Sequence, residues 1–401
     1  MNEVPATQPF LRGSVREVFR AFLRLGLLSF GGPVAHLGYF HSEFVERRKW
    51  CSGETFAEII AIAQSMPGPA SSQVGFSLGL LRAGWLGGLA AWTAFTAPSA
   101  LLMLGFAFGH HLLTGKFGLG IIHGLQLVAV AVVAQAILSM RKSLAPDLPR
   151  LLLALAAALI VFFGLGTLAA IAAGAVIGLL LPRTIAAAPA SPLAFRLPRS
   201  AAYIAAALFF ALLALLPLLA AFAPLQPIEV CNAFYRTGAL VFGGGHVVLP
   251  LLESAVVAPG WVDQQTFLSG YGAAQALPGP LFTFAAFLGA AIRPSAHPLA
   301  LSLLALVSIF LPGLLAVVAV LPFWSELRQR QTVRSLLLGV NAAVVGVLAA
   351  AFVRPVCSTA LLSVPDFAIA ALALFALLRW KLPPWIVVLS SVTLSAIASI
   401  A

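Results

Sequence analysis

Long apolar runs fill this chain, and two kinds of interruption recur between them. The first is a cluster of glycine and proline set inside apolar sequence: Gly31-Gly32-Pro33, Pro67-Gly68-Pro69, Gly243-Gly244-Gly245 and Pro278-Gly279-Pro280. The second is a group of basic residues between runs. Proline removes a backbone donor and disfavours helix in the residue before it. The pattern therefore predicts broken helices over 18–46 and 54–82, and again over 229–257 and 265–292. Irregular backbone at membrane depth is tolerated only where protein buries it or water reaches it. Each broken segment is thus expected to be a helical hairpin that enters and leaves on one side. Uninterrupted runs predict spans at 84–113, 119–140, 151–164 and 167–181, then at 297–323, 335–353, 358–378 and 384–401. One further run, 200–223, stands alone.

The order of these elements repeats because the sequence repeats. Residues 21–32 read AFLRLGLLSFGG and residues 233–244 read AFYRTGALVFGG. Trp50 to Pro69 aligns with Trp261 to Pro280, Pro98 with Pro312, and Gln126 with Asn341. Paired, interrupted apolar segments in corresponding halves point to the binding site of a transporter. The run 200–223 has no partner, and a single extra span turns the second half over. The expected fold class is an all-α polytopic integral membrane protein with two homologous halves in inverted topology. Each half holds two broken re-entrant hairpins and four further helices. The expected divisions are 1–199 for the N-terminal repeat with its linker, 200–228 for the connecting span, and 229–401 for the inverted C-terminal repeat.

Composition agrees. Of 401 residues, 61% are hydrophobic and 9% charged, against about 25% charged in a soluble domain. The net charge of +11 reads as membrane orientation rather than nucleic-acid binding. Under the inverted scheme 19 of the 23 basic residues face the cytoplasm, leaving Lys116, Arg236, Arg293 and Arg354 outside. The N-terminus is then cytoplasmic and the C-terminus outside. Arg12, Arg16, Arg20 and Arg24 recur every fourth residue, forming one stripe of an interfacial helix. Cys51, Cys231 and Cys357 lie far apart, with no metal-ligand or redox spacing. No nucleophile elbow or phosphate loop appears, so neither an enzyme nor a cofactor is expected.

The candidate chemistry gathers at the breaks. Arg24 and Arg236 match across the repeat, seven residues before Gly31 and Gly243. The stripe accounts for Arg24 but not for Arg236, and a guanidinium near membrane depth is suited to holding an oxyanion. Arg82 and Arg293 end the second broken segment, where snorkelling to the interface is the simpler role. Each Pro-Gly-Pro starts a new half-helix, whose free N–H groups and positive dipole end favour an anion. Ser71, Ser72 and Thr283 follow these breaks, and Gln64 and Gln275 precede them by three residues. Gly31, Gly32, Gly243 and Gly244 allow close backbone approach, though small-residue helix packing is the rival account. His36, His41, His246 and Glu58 are the nearby groups able to carry a proton.

Phe-Gly-Gly, a Trp-bearing loop and Ala-Gln-x-x-Pro-Gly-Pro, present in both halves, resemble the chromate ion transporter family in its long, two-domain form. The motif residues here are Phe30, Gly31, Gly32, Gln64, Pro67, Gly68 and Pro69, with Phe242, Gly243, Gly244, Gln275, Pro278, Gly279 and Pro280. The resemblance implies a multi-pass protein of the bacterial inner membrane that exports chromate and so gives resistance. Residue spacing alone reaches only an anion transporter, and sulfate is the rival tetrahedral substrate. Pro33 and Val34 stand where the second half has Gly245 and His246, so the half-sites need not be equal. Partners are then chromate and the lipid bilayer, with no metal and no nucleic acid, and a homodimer is left open.

Overall fold

The computed structural model describes residues 13–399 other than 114, 181–196 and 328. Arg12, Arg183, Arg328 and most of the expected linker lie outside the described residues. Among those described, every regular element is a helix.

Ser14 caps α1 (Val15–Leu28) by accepting from Glu17 N–H. After the first glycine break come α2 (Gly32–Phe40), which runs into a π-turn at His41–Arg47, and α3 (Gly53–Ser65), capped by Ser52. The Pro-Gly-Pro break separates α3 from α4 (Ala70–Gly109). The helix α4 is interrupted: Ala83 (φ −141°, ψ 24°) and Gly84 (φ 66°, ψ −158°) leave helical geometry. This divides it where the sequence pattern ends the broken segment and begins a span. Next are α5 (Gly115–Leu144), α6 (Leu148–Phe162), α7 (Thr167–Gly178) and α8 (Arg199–Phe222).

The second series starts with α9 (Gln226–Leu240), a 3₁₀ turn at Gly245–Val247, α10 (Val248–Val256) and α11 (Gln264–Ala276). Beyond the second Pro-Gly-Pro comes a 3₁₀ turn, Leu281–Thr283, then α12 (Phe284–Ala291) and α13 (Pro298–Val320). The chain closes with α14 (Trp324–Leu327), α15 (Gln331–Ala351), α16 (Ser358–Ala360), α17 (Val364–Leu378) and α18 (Pro384–Ala398). Among the described residues, five helical stretches are long and apolar enough to cross a membrane: Ala70–Gly109, Gly115–Leu144, Arg199–Phe222, Pro298–Leu327 and Gln331–Ala360. With the homologues described below, they define a multi-pass membrane protein. The expected spans at 151–164 and 167–181 appear as the 15-residue α6, shifted towards the N-terminus, and the shorter, 12-residue α7. At about 1.5 Å per residue neither matches a hydrocarbon core of about 30 Å by itself.

Packing follows the repeat with an exchange of partners. α1 lies along α4 as α9 lies along α13. The long helix α5 is clasped by α17 and α18 from the other repeat, and α15 is clasped by α6 and α7. Small residues permit the approach. A Cβ at Gly124 would meet Val392 Cα at 2.6 Å, and one at Gly174 would run into the Ala343 side chain. The main apolar core runs through α5, α10, α12, α13 and α15, while α1, the π-turn and α4 enclose a second cluster around Phe22, Phe44 and Phe95. By contrast α8 touches chiefly α9 and α13. Only 6% of its apolar window is buried, so its sides are left for lipid. Tyr235 Oη ties it down by donating to the Phe209 carbonyl at 3.0 Å.

Candidate functional site

The four glycine–proline breaks meet across the two repeats. Gly68 N–H donates to the carbonyl of Val241 at 2.8 Å, and Gly279 N–H donates to the carbonyl of Ser29 at 2.9 Å. Val241 and Ser29 are equivalent residues, each directly before Phe-Gly-Gly. Each Pro-Gly-Pro of one repeat is therefore bonded to the glycine break of the other. Both donors hold a left-handed backbone, φ +115° at Gly68 and +95° at Gly279, which only glycine adopts at low cost.

Each Pro-Gly-Pro also rests on the proline-bearing helix of the opposite repeat. A Cβ at Gly68 would lie 2.8 Å from Gly313 Cα, beside Pro312 in α13. A Cβ at Gly279 would lie 2.9 Å from Ser99 Oγ, beside Pro98 in α4. The two glycine breaks approach one another directly, with Pro33 about one contact from the Cβ position of Gly245, at 3.5 Å.

Side chains complete the two crossings differently. At the Gly68 crossing the buried Gln73 donates through Nε2 to the Pro67 carbonyl at 2.7 Å and the Gly313 carbonyl at 2.9 Å. At the Gly279 crossing His36 Nε2 lies 3.1 Å from the Ser29 carbonyl. Its ring meets Phe95 edge-on at 5.3 Å, and Ser99 Oγ donates to Thr96 O. Buried polar atoms without a partner gather near the breaks: Ser29 Oγ, His36 Nδ1, Ser72 Oγ, Thr96 Oγ1 and Gln275 Nε2. Such atoms are rare in folded proteins and call for an explanation.

Among the sequence candidates, Pro67, Gly68, Pro69, Ser71, Ser72, Pro278, Pro280 and Thr283 are buried at this junction. Gly32, Gly243, Gly244, His246, Gln275 and Gly279 are half-buried there. Ser72 follows the start of α4, whereas Thr283 Oγ1 donates to the Pro280 carbonyl. His246 Nδ1 pairs with Tyr271 Oη at 2.8 Å. Gly31 and Gln64 are exposed. Arg24 is exposed on α1 in line with Arg16 and Arg20, while Arg236 is half-buried on α9. Arg82 does not simply reach for the surface. It bonds Glu17 at 3.1 Å and lies 5.4 Å from the centre of the Trp50 ring, whose Nε1 also donates to Glu17. The equivalent Arg293 is exposed. Glu58 accepts from Trp324 Nε1 at 2.9 Å in the interior.

Residue spacing did not single out Gln73, Ser29, Thr96 or Ser99. A signal existed: at the aligned positions the second repeat has Phe284, Val241, Phe310 and Gly313. Polar residues facing apolar counterparts across a duplication mark where the copies diverged. No group of three or more His, Cys, Asp or Glu able to hold a metal occurs among the described residues.

A duplicated helical membrane protein whose interrupted segments converge on one polar junction has the architecture of a transporter. The chain belongs to the chromate transporter family, which matches it twice, over residues 16–179 and 228–396. The gap between the matches contains α8. A probable chromate transport protein of Synechococcus elongatus is 28% identical over 396 residues, covering 94% of each chain. Chromate transport proteins of Pseudomonas aeruginosa and Cupriavidus metallidurans are 28% and 26% identical, covering 84% and 92% of this chain and 80% and 89% of their own. No solved structure matches this chain significantly.

Proposed function

We propose that this protein is a secondary transporter that exports chromate from the cytoplasm of a bacterium by alternating access, and so confers chromate resistance. The observation that carries the reading is the reciprocal pair of bonds, Gly68 to Val241 and Gly279 to Ser29. They bring the interrupted helices of both repeats to one place, which suits a single site approached from either side. Family membership and the names of the relatives supply chromate as the substrate.

In this reading the anion sits between the breaks, near Gly31, Gly32, Gly243 and Gly244. The N-terminal end of α4 with Ser71 and Ser72 supplies donors. On the other side the turn at Pro278-Gly279-Pro280 with Thr283 lines the site. Gln64, Gln275 and His246 border it. Arg236 sets a positive field, and Arg24 contributes from the stripe at the cytoplasmic edge.

The repeats are inverted, with 1–199 and 229–401 as the two units. The short pairs α6–α7 and α17–α18 return the chain to the side it left, whatever their depth. The parity of crossings then rests on α8, which reverses the second repeat. The N-terminus is cytoplasmic and the C-terminus outside. Reporter fusions after Arg199, Ala258 and the C-terminus test this, and a cytoplasmic signal at Ala258 refutes the reversal.

Function is tested in everted membrane vesicles. Chromate accumulates in vesicles carrying the parent protein, and Arg236→Gln lowers that accumulation with membrane insertion unchanged. Undiminished flux removes Arg236 from the site. Accumulation that excess sulfate abolishes points instead to a general tetrahedral oxyanion carrier.

A further inference from the structure

The His36 ring is enclosed but only half satisfied. Its side chain belongs to a residue 1% exposed, and Nε2 lies 3.1 Å from the carbonyl of Ser29. A carbonyl only accepts, so Nε2 carries the proton, and in the neutral ring Nδ1 presents a bare lone pair. Nδ1 is buried without a partner. The hydroxyls of Ser29 and Thr96, both buried, are also without partners. Gly279 of the other repeat bonds to the same Ser29 carbonyl, and Gln275 Nε2, one turn before it, is unpartnered too.

Among the other histidines, His297 is exposed and four are engaged differently. His246 Nδ1 pairs with Tyr271, His41 with Glu46, His123 with Asp366, and His110 Nδ1 with a backbone carbonyl. The charged groups on the elements packed against α2 are committed elsewhere. On the π-turn, Glu43 pairs with Arg47 and Arg48, and Glu46 with His41. On α4, Arg82 pairs with Glu17. Tyr39, the other titratable side chain of α2, is exposed. A proton arriving at Nδ1 therefore meets no fixed countercharge from these elements, and an anion bound at the junction would supply one.

We propose that His36 couples proton binding to anion binding: a proton from solution enters at Nδ1 as a tetrahedral oxyanion binds beside it. The proton turns a lone pair into a charged donor aimed at the anion. The Ser29 and Thr96 hydroxyls add neutral donors, and the proton leaves with, or after, the anion. This inference rests on the oxyanion-transport reading and adds the protonation that accompanies anion binding and the residue that carries it. Linkage makes the effect reciprocal, so anion affinity must depend on pH by the same coupling.

The test uses the purified full-length protein in detergent with chromate as the probe. Equilibrium dialysis measures retained chromate, and an indicator dye in weakly buffered solution measures proton uptake. Wherever the free ring is neutral and the bound ring charged, the parent protein takes up about one proton per chromate retained and its affinity falls about tenfold per pH unit. In His36→Gln the amide nitrogen still reaches the Ser29 carbonyl, but no proton can be gained. Chromate is retained more weakly, proton uptake vanishes, and affinity becomes flat with pH. Ser29→Ala weakens binding and leaves the proton count unchanged. His36→Asn serves as the second variant, with size-exclusion profile and thermal unfolding recorded for both. Equal proton uptake in parent and His36→Gln overturns the inference, because the proton then travels on the anion or on another group. Chromate retention by the parent without proton uptake or pH dependence also overturns it, while leaving the transport reading intact. Absence of chromate retention by the parent overturns both.

Discussion

Around Gly279 the chain places Ser29, His36, Thr96 and Ser99; around Gly68 the equivalent positions are Val241, Val248, Phe310 and Gly313. The backbone frame is the same at both crossings, down to the N–H that each glycine donates and the carbonyl that receives it. The helix starts differ, α-helical at Ala70 but a 3₁₀ turn at Leu281–Thr283, and so do the side chains. The Gly68 crossing is closed by Gln73, whose amide nitrogen is doubly engaged. The Gln73 Oε1 and the Ser72 hydroxyl stay buried and unmet, and the Gly279 crossing keeps more such atoms: Ser29 Oγ, His36 Nδ1, Thr96 Oγ1 and Gln275 Nε2. One crossing thus serves mainly as a brace and the other holds more of the unmet polar groups, and the first repeat supplies most of the side chains at both. The scaffold was kept while the chemistry concentrated on one side.

Six substitutions, one of them with a second-site rescue, break or sharpen this contrast. The largest effect is expected at Gly68→Ala. A left-handed backbone costs about 1–2 kcal/mol for a residue with a Cβ. The new methyl also meets backbone, Gly313 Cα at 2.8 Å, which cannot turn away. Gly279→Ala meets the Ser99 hydroxyl instead, so a second change, Ser99→Gly, recovers part of its loss. Fluorescence-detected size exclusion should show little folded Gly68→Ala and partial rescue of the Gly279→Ala protein. Equal rescue of both by trimming a neighbouring side chain would erase the distinction.

Gln73→Leu comes next. It leaves the Pro67 and Gly313 carbonyls without their donor, at about 1–3 kcal/mol for each buried group. A lower thermal midpoint is expected, with chromate transport per folded molecule close to the parent. Thr96→Val acts the other way. It deletes a hydroxyl that has no partner, so the midpoint holds or rises while transport falls. A fall in stability with transport intact would make Thr96 a packing residue. The smallest effect concerns the ends of the repeats. Glu17→Gln loosens Arg82 and Trp50 and should cost about 1 kcal/mol or less. The equivalent Glu229→Gln should leave the midpoint unchanged, because no ion pair of Glu229 is present among the described residues.

Much of this frame is legible in the sequence, for a physical reason. Glycine and proline punctuate helices locally, so breaks near Gly31-Gly32-Pro33, Pro67-Gly68-Pro69 and Pro278-Gly279-Pro280, and a boundary between residues 82 and 84, are visible without knowing the neighbours; the first falls slightly earlier, with Gly32 and Pro33 already inside α2. The lone span 200–223 is equally plain, and it forms α8 with lipid-facing sides. Gln73 could not be read the same way. Its value depends on Gly313, 240 residues away, and within apolar sequence it resembles any helix-packing amide. His36 was one of several histidines near the breaks. Its distinction comes from the Ser29 carbonyl that fixes one nitrogen and the burial that strands the other. The exchange of helix pairs was also hidden, since α5, α6 and α7 all read as ordinary neighbours in one half. Arg24 shows the converse: its match with Arg236 in sequence hides opposite surroundings, one exposed and one half-buried.

That exchange sets an order of events during synthesis. The helix α5 is complete once residue 144 has left the ribosome, yet the groove that receives Gly120 and Gly124 belongs to α18. Nearly the whole chain must be translated before that surface is covered. Until then a strip of small residues stands open to lipid and to the membrane's insertion and quality-control machinery. Final assembly of the first repeat is therefore timed by α18, and a ribosome that stops short of it leaves both repeats unfinished.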